Sequence, residues 1–148
     1  MFPTSTNGKV FFTDNGVNYV DLGAAVVSPS GGQTLTQAVG GRSLAFNYAG
    51  SQRYNSFGYP AGSPFNGQRL WKCDSSLYMS DSSTDPQTMG IRCNMTGGSS
   101  GGGWVGASDP LARVYSVNSY GYRSLRNVMF GPYQGDLAEQ LFATAAAG

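Results

Sequence analysis

The chain has 148 residues, with nine Lys and Arg against eight Asp and Glu, for a formal net charge of +1. That length suits a single domain, and the balanced charge leaves no basic field to draw it to nucleic acid or an anionic membrane surface. The sequence contains no His, so a mechanism that needs an imidazole base or an imidazole metal ligand is closed to this chain.

In chain order, Met1-Phe2-Pro3-Thr4-Ser5 lacks the basic start and apolar run of a signal peptide. No stretch approaches the roughly 18 apolar residues of a membrane span. Residues 9–12 and 17–20 read as strands around Asp14-Asn15-Gly16, whose Asn-Gly pair favours the positive φ of a hairpin turn. Residues 22–27 are a continuous apolar run of strand length, stopped by Ser28-Pro29-Ser30-Gly31-Gly32. Further strands are expected over residues 44–47, 54–59, 68–72, 90–92, 104–105, 114–120 and 128–130, with Pro60 and Pro64 bracketing a turn before the 68–72 strand. The signal changes after Gly135. Asp136 can cap a helix in which Leu137 and Leu141 lie four apart and Ala, the best helix former, recurs. The pattern is that of an all-β chain with one C-terminal helix. Its composition, 40% hydrophobic and 11% charged with 22 Gly, fits a β-rich secreted domain with a real core.

Cys73 and Cys93 cannot build a zinc site without His. A disulfide between them would close a loop worth about 3 kcal/mol by the chain-entropy estimate and would imply an oxidising compartment. Two buried free thiols are the alternative.

The segment Arg92-Cys93-Asn94-Met95-Thr96-Gly97-Gly98-Ser99-Ser100-Gly101-Gly102-Gly103-Trp104-Val105 concentrates the chemistry. A serine nucleophile must protrude from a tight turn, and two backbone N–H groups must converge on the oxyanion formed by its attack. Glycines permit both the unusual backbone angles and the close approach of a substrate carbonyl. The bland alternative is a Gly/Ser linker. Against it, the run is short and lies between a cysteine and an apolar strand start. Asn94-Met95-Thr96 also matches a glycosylation sequon, read as coincidence inside such a loop. Arg92, Arg123 and Arg126 read as solvated face.

Residues 95–102 resemble the active-site loop of trypsin-like serine peptidases, in particular secreted bacterial members related to glutamyl endopeptidases. Lys9-Val10-Phe11-Phe12 resembles that family's first mature strand. Gly58-Tyr59-Pro60 and Pro64-Phe65-Asn66-Gly67 resemble the strand and turn before the first cysteine. Val117-Asn118-Ser119-Tyr120-Gly121 resembles the substrate-lining strand, and residues 135–147 the terminal helix. The resemblance implies Ser100 as nucleophile, the N–H groups of Gly98 and Ser100 as oxyanion hole, and Asp21 as triad aspartate, for which a turn residue at a strand entrance is the alternative. It implies Ser119, Tyr120 and Gly121 beside the substrate backbone and Asn94 near the pocket base. Ser99 stands where trypsin itself has aspartate, so activation by a buried N-terminal amine is not supported. No cofactor and no metal are implied.

One departure decides the functional expectation. In the family, a strand such as residues 17–20 leads to the histidine and further strands before the triad aspartate; here Val20 is followed at once by Asp21. The implied fold is a chymotrypsin-like antiparallel β-barrel, all-β, with the second barrel complete, the first truncated and a C-terminal α-helix. Residues 1–27 are the remnant, 28–42 the connection and 43–148 the second barrel. Lys9 and Lys72 are the only lysines that could serve a Ser-Lys arrangement, and neither sits in a suggestive pattern. Three readings follow: a peptidase relic with negligible turnover, an active endopeptidase whose base is unorthodox or supplied by another chain, and a non-catalytic peptide- or glycan-binding module. The last would grip its ligand with Trp104, Tyr115, Tyr120 and Tyr122, for which barrel core is the alternative. The expected partner is a peptide or protein substrate if the chain is active, with no nucleic acid and no membrane. Open edges of the incomplete barrel would leave the chain marginally stable or pair two copies.

Overall fold

The structure, a computed structural model, describes residues 10–14, 17–21, 31–48 and 52–147. The first two strands, β1 (Val10–Asp14) and β2 (Val17–Asp21), pair antiparallel with Asp14 opposite Val17 and Val10 opposite Asp21. The expected hairpin is therefore present, while its Asn15-Gly16 turn and the apolar run 22–27 lie outside the described residues.

A short helix follows, α1 (Leu35–Val39), which the sequence reading did not anticipate. Its signal was available in Thr34-Leu35-Thr36-Gln37. The Thr34 hydroxyl accepts from the Gln37 N–H at 3.2 Å, and the Gln37 side chain accepts from the Thr34 N–H at 2.8 Å. This reciprocal capping box satisfies two otherwise orphaned donors.

The body of the molecule is a six-stranded antiparallel sheet in the order β7-β6-β3-β4-β5-β8. Its strands are β3 (Arg53–Gly58), β4 (Trp71–Asp81), β5 (Thr88–Arg92), β6 (Gly103–Gly106), β7 (Val114–Val117) and β8 (Val128–Pro132). The two ends of the sheet meet. Beyond β7, the Ser119 N–H donates to the Phe130 carbonyl at 2.9 Å and the Phe130 N–H to the Tyr120 carbonyl at 2.8 Å, giving an antiparallel bridge between Tyr120 and Phe130. Closure of this kind removes the exposed edges of an open sheet. The expected second barrel is thus present, followed by the helix α2 (Asp136–Ala147). Asp136 lies in the first turn with Glu139 rather than capping from outside; the Glu139 N–H donates to the Gly135 carbonyl at 3.1 Å. Among the described residues no helix is long and apolar enough to cross a membrane.

Alternation along the strands fills the interior. On β3, Tyr54, Ser56 and Gly58 point inward; on β4, Cys73 and Ser75 do, while Lys72, Asp74 and Ser76 face water. Tyr54, Ile91, Trp104 and Phe130 are fully buried, each removing an apolar side chain from water for about 1.5–3 kcal/mol. Three expected strands shift. Residues 44–47 supply only a bridge from Leu44 to Val114. The 68–72 strand starts at Trp71 and runs on to Asp81, because Ser and Asp occupy the wet face of a ladder whose inner face holds Cys73 and Ser75. The 114–120 strand stops at Val117, where the Asn118 backbone turns to the loop before Gly103.

Cys73 on β4 and Cys93 just after β5 are joined in a disulfide with a Cα–Cα distance of 5.3 Å. Replacing both by Ala removes that constraint on the unfolded chain. The double variant should lose about 3 kcal/mol in urea unfolding relative to the parent protein.

Candidate active site

The loop between β5 and β6 is built almost entirely by backbone hydrogen bonds. The Ala61 and Gly62 N–H groups donate to the Gly97 carbonyl at 2.7 and 3.2 Å, and the Thr96 hydroxyl donates to the Gly62 carbonyl at 2.8 Å. The Ser99 hydroxyl donates to the Thr96 carbonyl at 2.9 Å, forming a local turn that buries Ser99 and leaves Ser100 partly exposed. Gly98 adopts φ 92° and Gly101 φ 72°, a region that side chains with a Cβ rarely enter. At Gly102 the constraint is space: a Cβ there would lie 1.8 Å from the Phe57 carbonyl oxygen.

These contacts leave specific groups unengaged. Among the described residues, neither the Gly98 N–H nor the Ser100 N–H has an acceptor, and the Ser100 hydroxyl has no hydrogen-bond partner. Two free N–H groups on a fixed glycine turn are the raw material for binding a carbonyl oxygen or an oxyanion.

Of the other expected site residues, Asp21 ends β2 opposite Val10; its side chain lies outside what is described. Asn94 is exposed, its Oδ1 lying 4.0 Å from Cys73 Sγ, a disulfide sulfur with no proton to donate. Ser119 and Gly121 are exposed beside β8. Tyr120 stacks on Phe130 with ring centroids 5.0 Å apart. Its hydroxyl donates to Asp81 Oδ2 at 2.7 Å, as does that of Tyr122. Of the four aromatics offered as a ligand grip, Trp104 and Tyr115 are core, whereas Tyr120 and Tyr122 form an outward pair on this edge. Lys72 is exposed on β4, Lys9 lies outside the described residues, and the exposed Arg92 guanidinium covers the Tyr78 ring at 3.8 Å.

Two partners escaped the sequence reading. Asp81 is one: its carboxylate accepts from the Ser83 hydroxyl at 2.6 Å and the Ser83 N–H at 2.9 Å, a turn signalled only by Asp81-Ser82-Ser83. Asn118 is the other, present in the motif but given no role. Its Oδ1 accepts from the Ser56 hydroxyl and the Trp104 indole N–H, each at 2.7 Å. Its Nδ2 donates to the Phe57 carbonyl at 2.9 Å and to the Ser99 carbonyl at 3.0 Å.

The Ser83 hydroxyl, then the Tyr122 and Tyr120 hydroxyls, hold the Asp81 carboxyl well below the usual carboxylate range. Burial pushes the Tyr120 phenol up, opposed by its bond to Thr88 and reinforced by Asp81. A carboxyl depressed in the folded state gives its full stabilisation at pH above its unfolded value of about 4; the contribution declines below that and is gone once acid protonates the folded form. The near-ultraviolet circular dichroism of the tyrosine pair, which follows Asp81 in the folded protein, should therefore persist below about pH 4, where an ordinary carboxyl is already largely protonated, whereas Asp81→Ala should show the altered spectrum already at neutral pH. At Gly102, substitution by Ala forces the loop off Phe57 and should cost about 1–3 kcal/mol or more in denaturant unfolding. Gly97→Ala, where a Cβ meets open space, should stay within about 0.5 kcal/mol.

No protein-family model matches the sequence, and no curated protein matches it. Solved structures do. A thermostable serine protease, AL20, from an extremophilic microorganism shares 46% identity with a TM-score of 0.72, over 82% of this chain and 56% of its own. The protease Anisep from Arthrobacter nicotinovorans shares 31% identity with a TM-score of 0.85, over 100% of this chain and 98% of its own. A Glu endopeptidase solved with MPD is 17% identical with a TM-score of 0.62, over 76% of this chain and 50% of its own, a likeness of fold alone. This chain thus spans little more than half the length of AL20 but nearly all of Anisep. With that identity across nearly the whole of Anisep, and with a closed six-stranded barrel, the chain belongs to the chymotrypsin-fold serine proteases.

Proposed function

We propose that this chain is a relic of a secreted serine endopeptidase, one that keeps the nucleophile loop around Ser100 but hydrolyses peptides negligibly on its own. One observation carries the reading: a glycine turn with the Gly98 and Ser100 N–H groups unengaged stands in a sequence that contains no His. In the reaction such a loop serves, Ser100 Oγ would attack the scissile carbonyl while those two N–H groups receive the oxyanion. A base must take the hydroxyl proton and return it to the leaving amine. Without one, serine at neutral pH is a poor nucleophile.

The cost can be sized. In a serine protease of another fold, loss of the histidine alone lowers turnover by about 2 × 10⁶, roughly 8–9 kcal/mol of barrier. An oxyanion hole and substrate binding leave only about 10³–10⁴ over water. In this reading Asp21 is the former triad aspartate, Ser119, Tyr120, Gly121 and Asn94 line the old cleft, and residues 1–27 descend from the first barrel. The substrate class is a peptide or protein. The disulfide and the likeness to bacterial proteases support an extracellular setting.

The test is a fluorophosphonate probe with intact-mass readout, with Ser100→Ala as control. The proposal expects no adduct beyond that of the control. A stoichiometric adduct that vanishes in Ser100→Ala would overturn it and show that Ser100 is activated by an unorthodox or external base. Saturable peptide binding without any adduct, lost in Tyr120→Ala, would turn the reading toward a binding module.

A further inference from the structure

Asn118 is almost wholly buried, with 1% of its surface exposed, and every hydrogen-bonding group it owns reaches a described partner. Its side chain takes the four bonds given above. Its backbone N–H donates to the Gly102 carbonyl at 2.8 Å, and its carbonyl accepts from the Gly101 N–H at 2.7 Å. The Ser99, Gly101 and Gly102 contacts bracket Ser100 on both sides. The Ser56, Phe57 and Trp104 contacts belong to β3 and β6, the rigid wall of the barrel. A planar amide with two acceptor and two donor directions is the one uncharged side-chain group that can satisfy two donors and two carbonyls at once. A residue there with only apolar atoms would leave the buried Ser56 hydroxyl and Trp104 indole N–H without their acceptor and take one bond each from the Phe57 and Ser99 carbonyls.

We propose that Asn118 is the positioning residue of the nucleophile loop, its amide locking the Ser99 peptide unit to the barrel wall so that the Gly98 and Ser100 N–H groups stay presented without an activating ion pair. The inference rests on reading residues 96–102 as that loop. Ser99 supplies no charge to be captured by an amine, so the order of the turn must come from neutral hydrogen bonds, and Asn118 makes those that tie Ser99, Gly101 and Gly102 to the barrel wall. Preorganisation of this kind is what gives an oxyanion site its strength, since the donors need not reorient when charge develops.

The test follows amide hydrogen exchange in the full chain. Asn118→Asp keeps the shape. Its protonated carboxyl can still donate to one of the two carbonyls, but its ionised form donates to neither. The groups that face this position, Ser56, Phe57 and Gly58 from β3, Trp104 from β6 and Ser99 from the loop, carry no titratable side chain, so any new pH dependence belongs to the introduced carboxyl. After correction for intrinsic rates, the Gly101 and Gly102 amides of the variant should exchange near the parent rate in mild acid. As the carboxyl ionises they should exchange roughly tenfold faster or more, while β4 and β5 amides stay unchanged. Equal acceleration throughout the barrel, or none at any pH, would overturn the proposal.

If the variant does not fold, the unmodified protein decides. After correction for intrinsic rates, the Asn118 Nδ2 protons should show the same opening free energy as the Gly101 and Gly102 amides, as one opening unit. Side-chain protons that stay protected while those amides exchange freely would overturn it. Neither readout depends on whether Ser100 reacts with a fluorophosphonate, so the function proposed above and this role of Asn118 can fail separately.

Discussion

At the centre of this barrel a hydroxyl and an indole N–H converge on one amide oxygen. Ser56 and Trp104, from adjacent strands, both donate to Asn118 Oδ1 in a space closed to water. A buried acceptor with two directional donors tolerates little displacement, since each lost bond would leave a desolvated polar group behind. The register of β3 against β6, with Ser56 opposite Trp104, is thereby tied to the course of the chain just after β7. Apolar packing around Tyr54, Ile91 and Trp104 supplies the bulk of the stabilisation. The polar centre makes the arrangement specific, and the turn that carries Ser100 hangs from it.

The same logic, carried to the surface, orders the edge beside the loop. Tyr120 and Tyr122 are large and amphipathic, and without a fixed partner each would sample several rotamers. Asp81 takes both hydroxyls on one oxygen while Ser83 occupies the other. The tip of the β4–β5 hairpin is thus drawn against the segment that follows β7. The chain therefore has a well-formed wall and a well-formed turn in a sequence that contains no His. The geometry of the turn needs no charged partner, because what shapes it is packing and neutral hydrogen bonding.

The sequence was most legible where local rules and tertiary demands agree. Apolar alternation located β3, β5, β6 and β8 within a residue or two, and the Leu and Ala pattern located α2. It was least legible where long-range partners override local character. Most of β4 escaped because Asp74, Ser75 and Ser76 have low strand propensity, yet pairing with β3 on one side and β5 on the other holds them extended. The glycine turn was readable because only a tight backbone needs so many glycines. Asn118 was not, since an asparagine in a strand-like stretch gives no hint that four partners from three other segments will meet it. Asp81 was hidden for the same reason: its tyrosines lie about forty positions away in sequence.

The disulfide has a topological consequence. It closes a ring of chain that contains most of β4, the exposed hairpin tip around Ser82 to Gln87, and β5. A peptide bond cut anywhere in that tip would yield two pieces still covalently joined, with Asp81 and Thr88 left on opposite sides of the nick. Such a cut need not be fatal. The molecule would run as one band until reduced, with its strands still paired and its turn still attached.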